Sequence, residues 1–455
     1  MRRSPKGNDV RSGWRQISQV SVTDGAHTET SVVLAIVTGT VMNHIAVLGA
    51  GITGVTTAYA LAQQGYRVTV FDRHRYPAME TSFANGGQLS ASNAEVWNSM
   101  STLIKGLKWM FRKDAPLLMN PSPSWHKYSW LGEFVRHIGN YRANTTETTR
   151  LAIAAREHLF GIAEKEGIEF NLEKRGILHI YHSKAEFEAA KRANALMTAG
   201  GLERFEVSND EIKVIEPTLR GDYFAGYFTP SDSTGDIHRF TRGLAAACVR
   251  KGVTFIQDAD VRSIKTDAQG VDIQWRNLHG SEPAVQETHR LQAQAVVVCA
   301  GVGSRAIAHS LGDRVNIYPV KGYSITVHLD DDRNQLLAPY VSLLDERAKI
   351  VTSRLGQDRF RVAGTAEYNG ENRNIRADRI APLVKWSRDN FDVDTSRVVP
   401  WAGLRPMMPD MMPYVAKGRR TGVFYNTGHG HLGWTLSAAT ADIVGRLVAK
   451  SHPIV

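Results

Sequence analysis

Cysteine is nearly absent. Two in 455 residues exclude a disulfide framework and a cysteine-rich zinc site. Cys299 closes the apolar run Val296-Val297-Val298 and Cys248 sits in an alanine-rich helical segment, so both read as reduced core residues. No apolar stretch reaches the roughly 20 residues that a membrane-spanning helix needs, which leaves only peripheral membrane contact. Runs of five or more like charges are also missing, although 55 Lys and Arg against 45 Asp and Glu give +10. That excess is spread along the chain and reads as a solvated basic surface. No aromatic–basic alternation marks a nucleic-acid surface, so no nucleic-acid partner is expected. Hydrophobic residues at 42% and charged residues at 22% exclude a disordered or fibrous chain. The length suggests about three domains, or two large interleaved ones.

The first 41 residues are polar and basic and show no helical or strand period. Arg2-Arg3 invites a twin-arginine reading, but the polar stretch from Ser18 to Thr30 separates it from the short apolar run Val32 to Val41. The expectation is translation from Met42, with a disordered extension as the alternative.

What is present begins there. Ile45-Ala46-Val47-Leu48 is an apolar strand entering Gly49-Ala50-Gly51-Ile52-Thr53-Gly54; a helix follows, with Gly65 at its C-terminal end. Arg67 to Phe71 is a second strand, ending at Asp72. A lone G-x-G-x-x-G is weak evidence, but here it follows a strand, opens a helix and has an acid about 20 positions on. Gly49 permits the tight turn, Gly51 a close approach of a pyrophosphate, and Gly54 tight helix–strand packing. Asp72 would accept from an adenosine ribose. This unit alone does not separate NAD from FAD.

Further on, Gly252 to Phe255, Asp260 to Ile264 and Ala295 to Ala300 read as strands compatible with a return to the first sheet. Near the C-terminus the strand Val423 to Asn426 leads into Thr427-Gly428-His429-Gly430-His431-Leu432-Gly433-Trp434 and the helix Leu436 to Val448. A second anion-binding helix end so far along the chain suits a flavin, whose ring gathers negative charge on reduction.

Four motifs carry a resemblance: Thr81-Ser82-Phe83-Ala84-Asn85-Gly86-Gly87-Gln88, Pro319-Val320-Lys321-Gly322-Tyr323-Ser324, Gly403-Leu404-Arg405-Pro406-Met407-Met408-Pro409-Asp410 and Asn426 to Gly430. In this order they resemble the FAD-dependent D-amino acid oxidase family, from about Met42 to the C-terminus. Met411-Met412 departs from the small turn pair usual after Asp410. The resemblance implies an α/β fold: a Rossmann-like βαβ FAD-binding domain with an inserted α+β substrate-binding domain. Residues 42–95, 226–310 and 399–455 would form the first, and 96–225 with 311–398 the second. It implies FAD contacts at Gly49, Gly51, Gly54, Asp72, Thr81, Ser82, Val261, Ala300, Gly301, Gly428, Gly430 and Gly433. The implied reaction is oxidative deamination of D-amino acids by hydride transfer from Cα to FAD. Electrons would pass to a quinone or other respiratory acceptor. The alternative is a glycine, sarcosine or secondary-amine oxidase using dioxygen.

Among single residues, Arg405 is the first candidate for the active site. Its guanidinium fork suits a substrate carboxylate, and a structural ion pair is the alternative. Tyr323, at the start of a strand, can hydrogen-bond the same carboxylate or be a packed core residue. His429, between two glycines, can lie against the flavin, although backbone amides can do so without it. Asn85 and Gln88 line flavin or substrate, or form a plain turn. His429 and His431 lack convergent carboxylates, so no metal is expected. Orientation of Cα–H and desolvation suffice for the chemistry, so no general base is assigned. Finally, Ile104, Leu107 and Phe111 repeat at helical spacing, with Lys105, Lys108 and Arg112 largely on another side. That pattern suits peripheral docking at a membrane, with packing on the substrate domain as the alternative. The expected location is cytoplasmic, with peripheral contact at the inner membrane face.

Overall fold

The computed structural model describes residues 43–109, 116–278 and 288–454. The expectations for residues 1–41 and for Phe111 and Arg112 lie outside these.

A six-stranded sheet runs in the order Tyr414–Lys417, Val423–Thr427, Ala295–Val298, His44–Leu48, Arg67–Phe71, Thr254–Ile256. All its pairings are parallel except the first. The two central strands, Ala295–Val298 and His44–Leu48, are buried at every position because both faces are covered, the usual condition for parallel strands. Ile45 and Val47 pack on one side with Leu61, Leu244 and Val444 of the helices Ile52–Gln63, Ile237–Arg250 and Gly433–Ser451. Ala46 and Leu48 pack on the other with Val271 and Ile273 of the antiparallel sheet Ala259–Asp267, Gly270–Asn277, Thr288–Ala293. Both cysteines are free and buried, as their surroundings in the sequence suggest.

The second large sheet has nine strands. Its path is Val398–Met407, Tyr318–His328, Arg359–Tyr368, Ile350–Arg354, Ser342–Asp345, Ile177–Tyr181, Ala225–Thr229, Phe205–Val207, with Leu117–Met119 beside Arg359–Tyr368. The helix Ala377–Asn390 covers one face, where Leu383 and Trp386 meet Tyr323 and Ile325. Two sequence boundaries fall differently from this pairing. Residues 226 and 399 each lie one position inside a strand of the nine-stranded sheet. Val398–Met407 pairs along its length with Tyr318–His328, so its ladder hydrogen bonds bind it there.

Candidate active site

A cavity of about 740 Å³ is lined by residues of both large sheets and of the turns between strand and helix. Every residue singled out from the sequence as a cofactor contact borders it except Gly54.

Three glycines of the first turn do three different jobs. Gly49 has φ +106°, and a Cβ there would come 2.6 Å from the carbonyl oxygen of Cys299. A Cβ on Gly54 would overlap the carbonyl oxygen of Gly49, so this glycine serves contact between helix and strand. Gly51 has an ordinary φ of −73°, and a Cβ there would meet only Ser82 Oγ at 3.5 Å. The fold itself does not need a glycine at 51; its bareness keeps the cavity open beside the helix N-terminus.

The surrounding polar groups are held by backbone. Ile52 N–H donates to Ser82 Oγ at 3.0 Å, and Thr81 Oγ1 donates to the carbonyl of Leu404 at 2.8 Å. Asp72 accepts from the amides of Ala50 at 2.5 Å and His74 at 2.8 Å. Burial raises its carboxyl above the usual range, only partly offset by those two bonds. Val261 stands at a bulge in Ala259–Asp267, and Ala300 and Gly301 continue the strand Ala295–Val298 into the cavity wall. Gly428 and Gly430 have φ of +75° and +58°, the left-handed backbone that favours glycine. They lead into the helix from Gly433, whose N-terminus carries no side-chain cap.

Arg405 borders the same cavity. Strand alternation puts it on one face with Val320, Gly322 and Ser324, opposite the face of Tyr323. Its guanidinium lies flat on Gly322, where a Cβ would overlap Cζ and both Nη atoms. Nη1 donates to the carbonyl of Thr365 at 3.4 Å, and no carboxylate among the described residues pairs with it. Desolvation pulls its pKa down to about 10, with nearby Tyr368 acting in the other direction. The guanidinium therefore stays charged at neutral pH while lacking a counter-ion. Thr365 has φ +55°, an outlier for a β-branched residue, and its Oγ1 is buried without a partner.

Tyr323 and His429 are placed differently from Arg405. The Tyr323 hydroxyl donates to Glu367 at 2.5 Å, and Glu367 also pairs with the fully buried Lys321 at 3.1 Å. Burial alone would raise the Glu367 carboxyl, but bonds from Tyr323 and Lys321 outweigh it and hold the group down. The Tyr323 hydroxyl is thus spent inside the sheet. The ring of His429 hydrogen-bonds Thr440 of the last helix at 2.9 Å, and the residue borders the cavity. Asn85 Oδ1 accepts from Gly87 N–H at 3.0 Å, the plain-turn reading, and Gln88 donates to Ser342 at 2.8 Å.

Tyr368 and His431 are cavity residues to which the sequence assigned no part in binding substrate. Tyr368 stacks on Tyr318 with centroids 5.6 Å apart, borders the cavity and lies close enough to Arg405 for their charges to interact. A tyrosine in a strand carries no signal of its own; only the pairing of Arg359–Tyr368 beside Tyr318–His328 brings it in. His431, which drew attention as half of an apparent metal pair, lies instead against Trp97.

A family model described as "DAO: FAD dependent oxidoreductase" matches residues 44–447. The chain belongs to this FAD-dependent oxidoreductase family. It is 60% identical to D-amino acid dehydrogenase 3 of Mesorhizobium japonicum over 414 residues, covering 91% of this chain and 98% of that one. It is 40% identical to a D-amino acid dehydrogenase of Paramagnetospirillum magneticum over 417 residues, 89% and 94% of the two. Glycine oxidase from Geobacillus kaustophilus shares the fold with a TM-score of 0.64 at 20% identity, covering 90% and 94%. L-proline dehydrogenase from P. horikoshii does so at 0.66 and 15% identity, covering 91% and 96%.

FAD is the cofactor of this oxidoreductase, and the residues present fit it. Glycine at 51 has no steric reason within the protein, yet a side chain there would fill the cavity at a helix N-terminus, where phosphate is favoured. A second uncapped helix N-terminus, at Gly433, borders the same cavity and favours negative charge.

Proposed function

We propose that the protein oxidatively deaminates D-amino acids. The observation that carries this reading is the charged guanidinium of Arg405, seated on Gly322 in the cavity wall with no carboxylate of its own. An incoming α-carboxylate supplies the missing partner through two parallel charge-assisted hydrogen bonds. Thr365 holds one Nη through its carbonyl, and Tyr368 lines the same cavity. The dehydrogenases similar to this chain support a D-amino acid as the substrate. FAD, when bound, supplies the two-electron oxidation of the Cα–N bond.

The assignment of individual cofactor contacts belongs to the same proposal. Gly49, Gly51, Ser82 and Asp72 serve the adenosine and pyrophosphate end; Gly428, Gly430 and Gly433 serve the ring end. The six-stranded sheet carries the cofactor and the nine-stranded sheet the substrate. Electrons pass to a quinone or other respiratory acceptor from a cytoplasmic enzyme docked peripherally on the inner membrane face. In support, no helix of the described residues is long and apolar enough to cross a membrane. The helix Met100–Trp109 leaves Met100 and Ile104 exposed.

Anaerobic addition of D- and L-amino acids to the holoenzyme tests the reading. Flavin absorbance should bleach with D-enantiomers and persist with L-enantiomers; no bleaching by any D-amino acid overturns it. Peroxide formed stoichiometrically in air would identify a dioxygen-using oxidase instead.

A further inference from the structure

The α-amino group of such a substrate needs its own partner, and the cavity offers one on the turn beside Arg405. Gly430 N–H donates to the carbonyl of Pro406 at 3.0 Å. Arg405 precedes this main-chain bond on one segment and His431 follows it on the other. Both residues border the cavity, and the guanidinium is close enough for its charge to act on the imidazole.

The tautomer of His431 follows from its partners. Nε2 lies 3.1 Å from the main-chain carbonyl oxygen of Asn93, which can only accept, so Nε2 carries the proton and Nδ1 a lone pair. The ring is stacked on Trp97, with centroids 4.9 Å apart and planes 19° apart. It is thus fixed at one edge and over one face. Nδ1 has no partner among the described residues, and it is not among the buried unpartnered atoms.

We propose that Nδ1 of His431 accepts a hydrogen bond from the α-amino group of the substrate while Arg405 binds its carboxylate. This rests on the amino acid reading above. Burial is the main reason that the imidazole sits low, at about 4, so the lone pair is available throughout the neutral range. The two anchors line one cavity on backbone segments joined by the Gly430–Pro406 bond, and a ligand whose carboxylate and amine are on adjoining carbons would use both. With carboxylate and amine both fixed, the remaining two substituents of Cα can be exchanged only by exchanging enantiomers. His431 therefore contributes to the choice of hand as well as to affinity.

The test uses dead-end ligands on the holoenzyme at neutral pH, titrated calorimetrically. 2-Aminoisobutyrate has the carboxylate and amine but no α-hydrogen to lose; isobutyrate has the carboxylate alone. Wild type should bind 2-aminoisobutyrate at least tenfold tighter than isobutyrate. In H431F, which keeps a ring against Trp97, that advantage should fall about tenfold, the worth of one hydrogen bond to a charged donor. Isobutyrate affinity should change less than twofold. H431Q, whose amide oxygen can accept, should keep more of the preference than H431F. Equal affinities of wild type for the two ligands overturn the inference without needing any variant. So does an H431F that loses both ligands equally or neither. A wild-type holoenzyme that binds neither ligand and is bleached by no D-amino acid overturns the functional reading and this one with it.

Discussion

A cation in a cavity wall with no counter-ion lowers stability unless a ligand completes it, and Arg405 is such a group. Its seat depends on the lack of a side chain at Gly322. Arg405→Lys should retain FAD but lose about 10–100-fold in kcat/KM, because an ammonium cannot reproduce two parallel bonds. Steady-state kinetics beside the flavin spectrum check this; near-normal kcat/KM removes Arg405 from the role. Gly322→Ala acts on the same guanidinium from below. The added Cβ must push it off its seat, so kcat/KM should fall by a comparable factor with cofactor content unchanged. At this scale the sequence exposed Arg405, since a guanidinium between Gly403 and Pro406 stands out. It also pointed to Tyr323, which borders the cavity while its hydroxyl donates to Glu367. A one-residue step along a strand decides which face a side chain takes, and both neighbours were chemically plausible.

At the scale of elements, strand–turn–helix units were the most legible part of the chain. The expected strand at Ile45 to Leu48 and the observed His44–Leu48 nearly coincide, because local pattern and turn chemistry agree there. The helix expected from Leu436 begins at Gly433 and ends at Ser451; its start lies inside the glycine turn, where apolar periodicity has not yet begun. The three glycines of the first turn separate packing from binding. Gly54→Ala forces Cβ into backbone, which cannot yield, so melting temperature and FAD content should both fall. Gly51→Ala should leave the melting temperature of the apoprotein unchanged and weaken FAD binding. Thermal melts of both apoproteins and a flavin titration distinguish the two. A Gly51→Ala apoprotein that melts as low as Gly54→Ala contradicts the division of roles.

Across the whole molecule, desolvated histidines couple stability to acidity. His44, His429 and His431 are held at about 4, 3 and 4, with burial the main cause in each. Their ordinary value is near 6.5, so each takes up a proton on unfolding in the interval between. The stability they contribute is complete above pH 6.5 and is lost as pH falls toward their folded values. Each adds a slope of up to about 1.4 kcal/mol per pH unit in that window. The melting temperature should therefore drop steeply between pH 6.5 and 4.5 and level off above 7. A flat profile over that interval would show these imidazoles to be protonated in the fold.

The amino-acid sequence by itself determined the strand–turn–helix units and the motifs that carry the family resemblance. Those depend on glycines, caps and apolar periods within about 30 residues of each other, and such local constraints are written in order along the chain. Tertiary structure alone decided which polar groups remain free. Arg405, Tyr368 and His431 reach one cavity because Val398–Met407, Arg359–Tyr368 and the turn after Val423–Thr427 are brought together by strand pairing and the Gly430–Pro406 bond. Whether a hydroxyl or imidazole is spent on a neighbour or left for a ligand depends on partners far away in sequence, and no local pattern records them.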